Sequence, residues 1–334
     1  MRSLTYAALV AAAFFWGGSA IAGKLLLDSL LPASVTFSRF AVAAVALLAV
    51  CLAMRLRLRV TLREHGQFAI LGVVGVTLCY YFYFEGLARS TAINAALAEA
   101  TIPLVTLGLS VLARRERSNR WQTAGFVVSY LGVVLIITRM DWRVVAESRY
   151  NVGDLLLIAS TLCFGLYNFL LRWFAPRATS MVQTYYIFAY GSLALLPWLL
   201  LSDGAVRDLG RLPGLPADLL FAAVFMCVGS SVLAYVFFNH GIEQIGASKA
   251  SSFINLVPVI TIVAAIALLR ETPSAAQIVG GLVVLVGVYL ANRAKQTDPP
   301  IEAVPAAEPV PSVEPVPPAA EAAIAAPADA RESR

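Results

Sequence analysis

Residues 92–125 read AINAALAEATIPLVTLGLSVLARRERSNRWQTAG, and residues 247–280 read ASKASSFINLVPVITIVAAIALLRETPSAAQIVG. Laid over each other at a shift of 155, they bring Ala92 onto Ala247, Pro103 onto Pro258 and Glu116 onto Glu271. Gln122 then meets Gln277, and Gly125 meets Gly280. The match extends outward to Gly86 with Gly241 and to Gly132 with Gly287. Nearer the start of the chain the shift is 148. There Trp16-Gly17 meets Phe164-Gly165, Lys24 meets Arg172, Thr36 meets Thr184 and Phe40 meets Phe188. The change in shift falls in the segment 202–216. An ordered series of matches at near-constant spacing is the mark of an internal repeat.

The repeated unit is apolar. Of the 334 residues, 59% are hydrophobic and 13% charged, where a soluble domain carries about 25% charged residues. The apolar residues fall in runs long enough to span a bilayer as helices, which satisfy their own backbone hydrogen bonds in lipid. No short alternating segments of a transmembrane barrel are present. Ten spans are expected, at 6–26, 33–53, 68–87, 92–112, 121–138, 154–173, 181–201, 217–238, 247–269 and 275–291. The fold class is therefore an all-α membrane protein of ten transmembrane helices in two five-helix repeats, residues 1–139 and 150–292. An odd number of spans per copy makes the second copy cross the membrane in the opposite sense. Inverted repeats are an architecture of secondary transporters, which bind substrate near the midplane between the halves. A non-transporting scaffold is the alternative from another class.

Charge sets the orientation. Alternate loops carry 14 basic residues on one side, including Arg55, Arg57, Arg59, Arg63, Arg114, Arg115, Arg117 and Arg120, and 8 on the other. By the positive-inside rule both termini are expected in the cytoplasm. The net charge of +5 hides this excess, because seven acids lie in the Pro/Ala/Glu-rich end of the chain. Residues 293–334 are expected to form a disordered cytoplasmic tail. Cys51, Cys79, Cys163 and Cys227 each sit in an apolar run, in no metal-type pair. No basic surface stands apart from the membrane segments, so nucleic acid is not an expected partner. No Walker-type loop, metal cluster or catalytic constellation is present, so no cofactor, metal or enzymatic activity is expected. The expected partners are the lipid bilayer and a small-molecule substrate; the oligomeric state stays open.

Each half resembles an EamA-like domain of the drug/metabolite transporter superfamily. The resemblance rests on Phe15-Trp16-Gly17, on Pro32 followed by Arg39, and on the series Pro103, Glu116, Gln122, Gly125 with its copy Pro258, Glu271, Gln277, Gly280. It covers about residues 5 to 292. It implies alternating access, export coupled to protons or another gradient, and residence in the inner membrane. The resemblance names no substrate; the expected cargo is a small polar or amphipathic metabolite such as an amino acid or amine, with a sugar nucleotide or lipid-linked cargo as the alternative within transport. The second copy departs from the pattern, with Ser180 and Ile187 where the first has Pro32 and Arg39.

Glu99 is the sharpest single candidate. It lies deep in the fourth span, and spacing puts it on one helical face with Ala92, Ala96 and Pro103. An acid inside a membrane is a functional candidate by default. Burial disfavours a charged carboxylate, which suits a proton site; a structural pairing with Arg39 is the other reading. Arg39 lies about two turns inside the second span, where it snorkels, pairs with an acid or binds an anion. Pro103 and Pro258 are expected to kink their spans, as hinges or fixed bends. Trp16, Tyr83, Asn168, Ser252 and Asn255 are candidates to line an amphipathic cavity. Glu116 and Glu271 read mainly as cap or loop acids. Lys24 and Arg172 read as snorkelling cations, and Glu85 and His240 as interfacial residues.

Overall fold

The computed structural model describes residues 2–114, 120–141, 143, 150–174, 176–245, 250 and 252–293. Glu116 and the segment 294–334 lie outside the described residues. Among the described residues all regular structure is helical. The elements are α1 (Arg2–Leu27), α2 (Pro32–Ala53), α3 (Leu62–Arg89), α4 (Ala92–Glu99), α5 (Ile102–Leu112) and α6 (Arg120–Ile137). They continue with α7 (Val152–Phe174), α8 (Ser180–Leu201), α9 (Ala205–Arg211), α10 (217–245), α11 (Leu256–Leu268) and α12 (Ala275–Arg293). Eight stretches are long and apolar enough to cross a membrane, counting α4 and α5 together as 92–112. Two further apolar helices, α11 and α12, are shorter.

The helix starts follow the chemistry of their first residues. Pro32 opens α2 without needing an amide partner. Thr61 caps α3 in a reciprocal box with Glu64, which carries that helix six residues beyond the expected start. Thr91 caps α4 through the Asn94 amide. The short helix α9, inside a segment expected to be loop, has a packing reason. Its Asp208 accepts from the Leu31 amide at 2.9 Å and sits 3.3 Å from the Ser34 hydroxyl, so it caps α2 from a distance.

Two pairs of interruptions shape the bundle. The helix α3 passes through a π-helical segment at Val73–Leu78, and α10 through one at Phe225–Leu233. The fourth span is broken rather than bent: α4 ends at Glu99, and α5 begins at Ile102 with Pro103 in its first turn. Likewise a 3-10 turn at Ser252–Asn255 precedes α11, with Pro258 in its first turn. The prolines thus start half-helices, where a missing amide is harmless. They do not kink continuous ones, and Glu99 and Pro103 do not share one helix.

The packing is reciprocal. The helix α1 lies against α10 and α11, while α7 lies against α3 and α5. The helices α2 and α8 pack on each other, and α6 packs on α12. In that last pair the backbones touch. A Cβ on Gly132 would meet the Gly280 carbonyl at 2.7 Å, and one on Gly287 would meet the Ser129 amide at 2.5 Å. The Ser129 hydroxyl donates to the Val284 carbonyl across the same seam at 2.9 Å. Small residues that let backbones approach are the usual glue between helices in lipid. Val45, Tyr130, Val263 and Leu282 are among the large apolar side chains left on the outside, as a lipid-facing surface requires.

Candidate functional site

Arg39 does not snorkel. It is 6% exposed and points from α2 into the π-helical segment of α10. Its Nε donates to the Ser231 hydroxyl at 3.0 Å and its Nη2 to the Ser230 hydroxyl at 3.2 Å. Both hydroxyls in turn donate to the Met226 carbonyl, at 2.8 and 3.1 Å. A hydroxyl has one hydrogen and two lone pairs. Spending the hydrogen on Met226 turns lone pairs toward the guanidinium. Two successive serines can share one carbonyl because residues four and five positions on both lie over it in a π turn. Segments of this type recur at functional sites.

Aromatic rings complete the surroundings. The Arg39 guanidinium carbon lies 4.9 Å from the centre of the Tyr80 ring and 5.2 Å from that of Phe40. Tyr83 is buried and packs on Tyr80 at 5.8 Å. Trp16 donates its indole N–H to the Ser230 carbonyl at 3.1 Å and meets the Tyr235 ring edge-on at 5.4 Å. Four elements, α1, α2, α3 and α10, thus converge on one point.

Glu99, the last residue of α4, comes within electrostatic reach of Arg39, Tyr83 and Tyr80. It is half-buried, and it makes no hydrogen bond or ion pair among the described residues. Direct pairing with Arg39 is therefore absent. Asn168 is half-buried on α7, one residue beyond Tyr167, whose ring lies over Gly75 in the π-helical segment of α3. Ser252 and Asn255 belong to the 3-10 turn before α11, and their side chains lie outside the described set. The structure joins Arg39, Trp16 and Tyr83 in one cluster with Glu99 at its edge. Among the described residues no hydrogen bond or ion pair ties Asn168 to it.

A second polar cluster closes one end of the bundle. Lys24 donates to the carbonyls of Leu87 at 2.7 Å and Ser90 at 2.5 Å, so it too is turned inward rather than snorkelling. Glu271 accepts from the amides of Ala92 and Ile93, at 2.8 and 3.1 Å, and so caps α4 from the far side of the sequence. Asn94 donates to Asp154 at 2.8 Å and accepts from Gln277 at 2.8 Å. Ser90 also donates to Asp154. The cap reading of Glu271 thus holds, though for a different helix than its own neighbour. A separate recess beside Asn94, Leu97, Ile136 and Asp154 belongs to this end and does not include Arg39. Elsewhere Glu85 pairs with Arg89, and His240 and Arg172 are exposed.

Ser230, Ser231 and Asp154 escaped the sequence reading. The run Gly229-Ser230-Ser231 was the available signal: three small residues inside an otherwise apolar span.

A sequence profile of the EamA-like transporter family matches this chain twice, over residues 3–138 and 151–293. An uncharacterized transporter of Archaeoglobus fulgidus is 31% identical over 89% of this chain and 99% of its own length. The uncharacterized transporter YyaM of Bacillus subtilis is 29% identical, over 86% and 93%. A probable terminal-alkyne amino-acid exporter of Streptantibioticus cattleyicolor is 25% identical, over 86% and 92%. One solved crystal structure, 20% identical, superposes with a TM-score of 0.58 over 89% of this chain and 99% of its own, a likeness of fold alone.

Proposed function

Because the chain belongs to the EamA-like transporter family, we propose that it is a secondary transporter exporting a small metabolite across the inner membrane by alternating access. Its architecture on this reading is ten spans in two inverted five-helix repeats, with α11 and α12 as the last two. The supporting observation is the pairing of interruptions. At a shift of 155 the break after Glu99 falls at the end of the 3-10 turn before Leu256, and 73–78 falls on 228–233, inside the second π-helical segment. Interrupted helices at corresponding places in two halves are the pattern that marks a midplane binding site. The Arg39 cluster lies at one of those segments.

The cargo class is an amino acid or a related small amphipathic molecule. The exporter from Streptantibioticus supports that class at 25% identity. The Lys24, Asp154 and Glu271 cluster is the closed gate at the external end, and both termini lie in the cytoplasm. Counterflow in proteoliposomes tests the proposal. Purified chain should accelerate exchange of labelled amino acids over empty vesicles; no acceleration for any metabolite tried would favour the scaffold.

A further inference from the structure

Arg39 has donors left over. A guanidinium carries five N–H donors. Nε and Nη2 hold the two serines, and Nη1 has no hydrogen-bond partner among the described residues. The groups in contact with it are neutral: two hydroxyls and two ring faces. Glu99 is near but makes no ion pair. A cation this deeply placed is costly without a contacting anion, and Glu99 compensates it only at a distance.

The scaffold does not need this charge. At the corresponding contact in the other half, α8 meets the π-helical segment of α3 and the preceding turn with Ile187 in place of Arg39. There the backbones approach closely: a Cβ on Gly72 would meet the Ile187 carbonyl at 2.8 Å. One contact is thus built by packing and its partner by a charge. A charge present once, at the point where four elements converge, is a feature of the cargo site rather than of the repeat.

We infer that Arg39 receives the carboxylate of an amphipathic organic acid, an assignment that rests on the transporter reading above. The planar guanidinium matches a carboxylate in geometry. Around it the walls are aromatic: Tyr80 and Phe40 against the guanidinium, Phe188 against Phe40 at 5.0 Å, and Tyr235 against Trp16. Such walls take the apolar body of an organic acid and offer little to a free inorganic anion. Inorganic phosphate shares the negative charge and lacks the body, so it serves to separate the two sources.

The test uses the full chain in proteoliposomes, with binding read by tryptophan fluorescence and exchange by counterflow. Probes are phenylalanine, 3-phenylpropionate, its amide, 2-phenylethylamine, the matching aliphatic compounds and inorganic phosphate. Carboxylates should bind about tenfold or more tightly than amide and amine, the scale of a charged hydrogen bond. Arg39→Gln should erase that preference and Arg39→Lys keep part of it. Should Arg39→Gln fail to fold, Arg39→Met, which removes the charge but keeps an apolar chain among the aromatic rings, should still erase the preference for acids over amides. Equal binding of acid and amide, or full displacement of acids by equimolar phosphate, overturns the carboxylate assignment while exchange itself leaves the transporter reading standing. An acid preference that survives in folded Arg39→Gln also overturns it. Exchange of no compound at all overturns both.

Discussion

Glu99 stands at the break of the fourth span with no hydrogen bond or ion pair to fix it among the described residues, a few residues from the proline that starts the next half-helix. A carboxyl group in that position is free to exchange a proton or meet the cationic part of a cargo. Glu99→Gln keeps the shape and removes the titration. It should leave folding intact and lower proton-driven transport at least about tenfold, with a flattened pH profile and milder loss of exchange without a gradient. An unchanged profile would make Glu99 structural. Glu271 has a different role. Its two oxygens satisfy two amides at the start of α4, so Glu271→Ala should cost about 1–2 kcal/mol of stability. Thermal melting in detergent measures that loss. Legibility at this scale follows charge. Glu99 and Arg39 stand out in an apolar run because a charge there is expensive. Ser230 and Ser231 do not, since a hydroxyl in a membrane helix is ordinary, and only the fold brings them to Arg39 from 191 and 192 residues away. Lys24 misled for the same reason: near a helix end, an outward reach to water and an inward reach to carbonyls look alike in sequence.

The interruptions of the spans belong to the scale of the element. Hydropathy placed the long helices because a run of apolar residues has few other destinations. It did not place the π-helical segments, which depend on one displaced hydrogen bond and leave no mark on composition. Nor did it place α9, whose reason is a capping contact to α2 across 177 residues. Proline was legible as a disturbance but not as to kind: the same residue that kinks a helix interior can open a new helix, and the neighbours decide which. The seam of α6 and α12 shows the opposite case. Gly132 and Gly287 were visible as matched residues, and the backbone contact explains the match. Gly287→Val puts side-chain atoms where the Ser129 amide and Gly125 carbonyl already stand. It should cost about 1–3 kcal/mol, the range of overpacked cores, and lower the melting temperature. Substituting Gly66, a helical position with open space around it, by Ala should instead raise the melt slightly, adding up to about 1 kcal/mol of stability.

The whole molecule has two polar ends, and their chemistry differs. At one end the close of α1 and α3 and the start of α4, α7 and α12 are tied by Lys24, Asp154, Asn94 and Gln277. At the other, Tyr186 donates to the Leu58 carbonyl, and Glu64 accepts from the Arg177 amide, in loops studded with arginine. Packing alone cannot tell which end faces the cytoplasm, because a helix bundle is equally well packed either way up. Loop charge breaks the tie. In the sequence, alternate loops carry 14 basic residues against 8, with most of the excess between residues 55 and 120. Such residues near span ends resist translocation. On the proposed orientation the Lys24 end faces outward, and its cluster would then be the external gate. Reporters fused after Arg120 or Lys295 should read as cytoplasmic, and one placed between Arg143 and Arg149 as external. Replacing Arg55, Arg57, Arg59 and Arg63 by neutral residues should weaken the bias and raise the share of inverted molecules. A cytoplasmic signal from the 143–149 site in the unaltered chain would break both the ten-span count and the assignment of the gate.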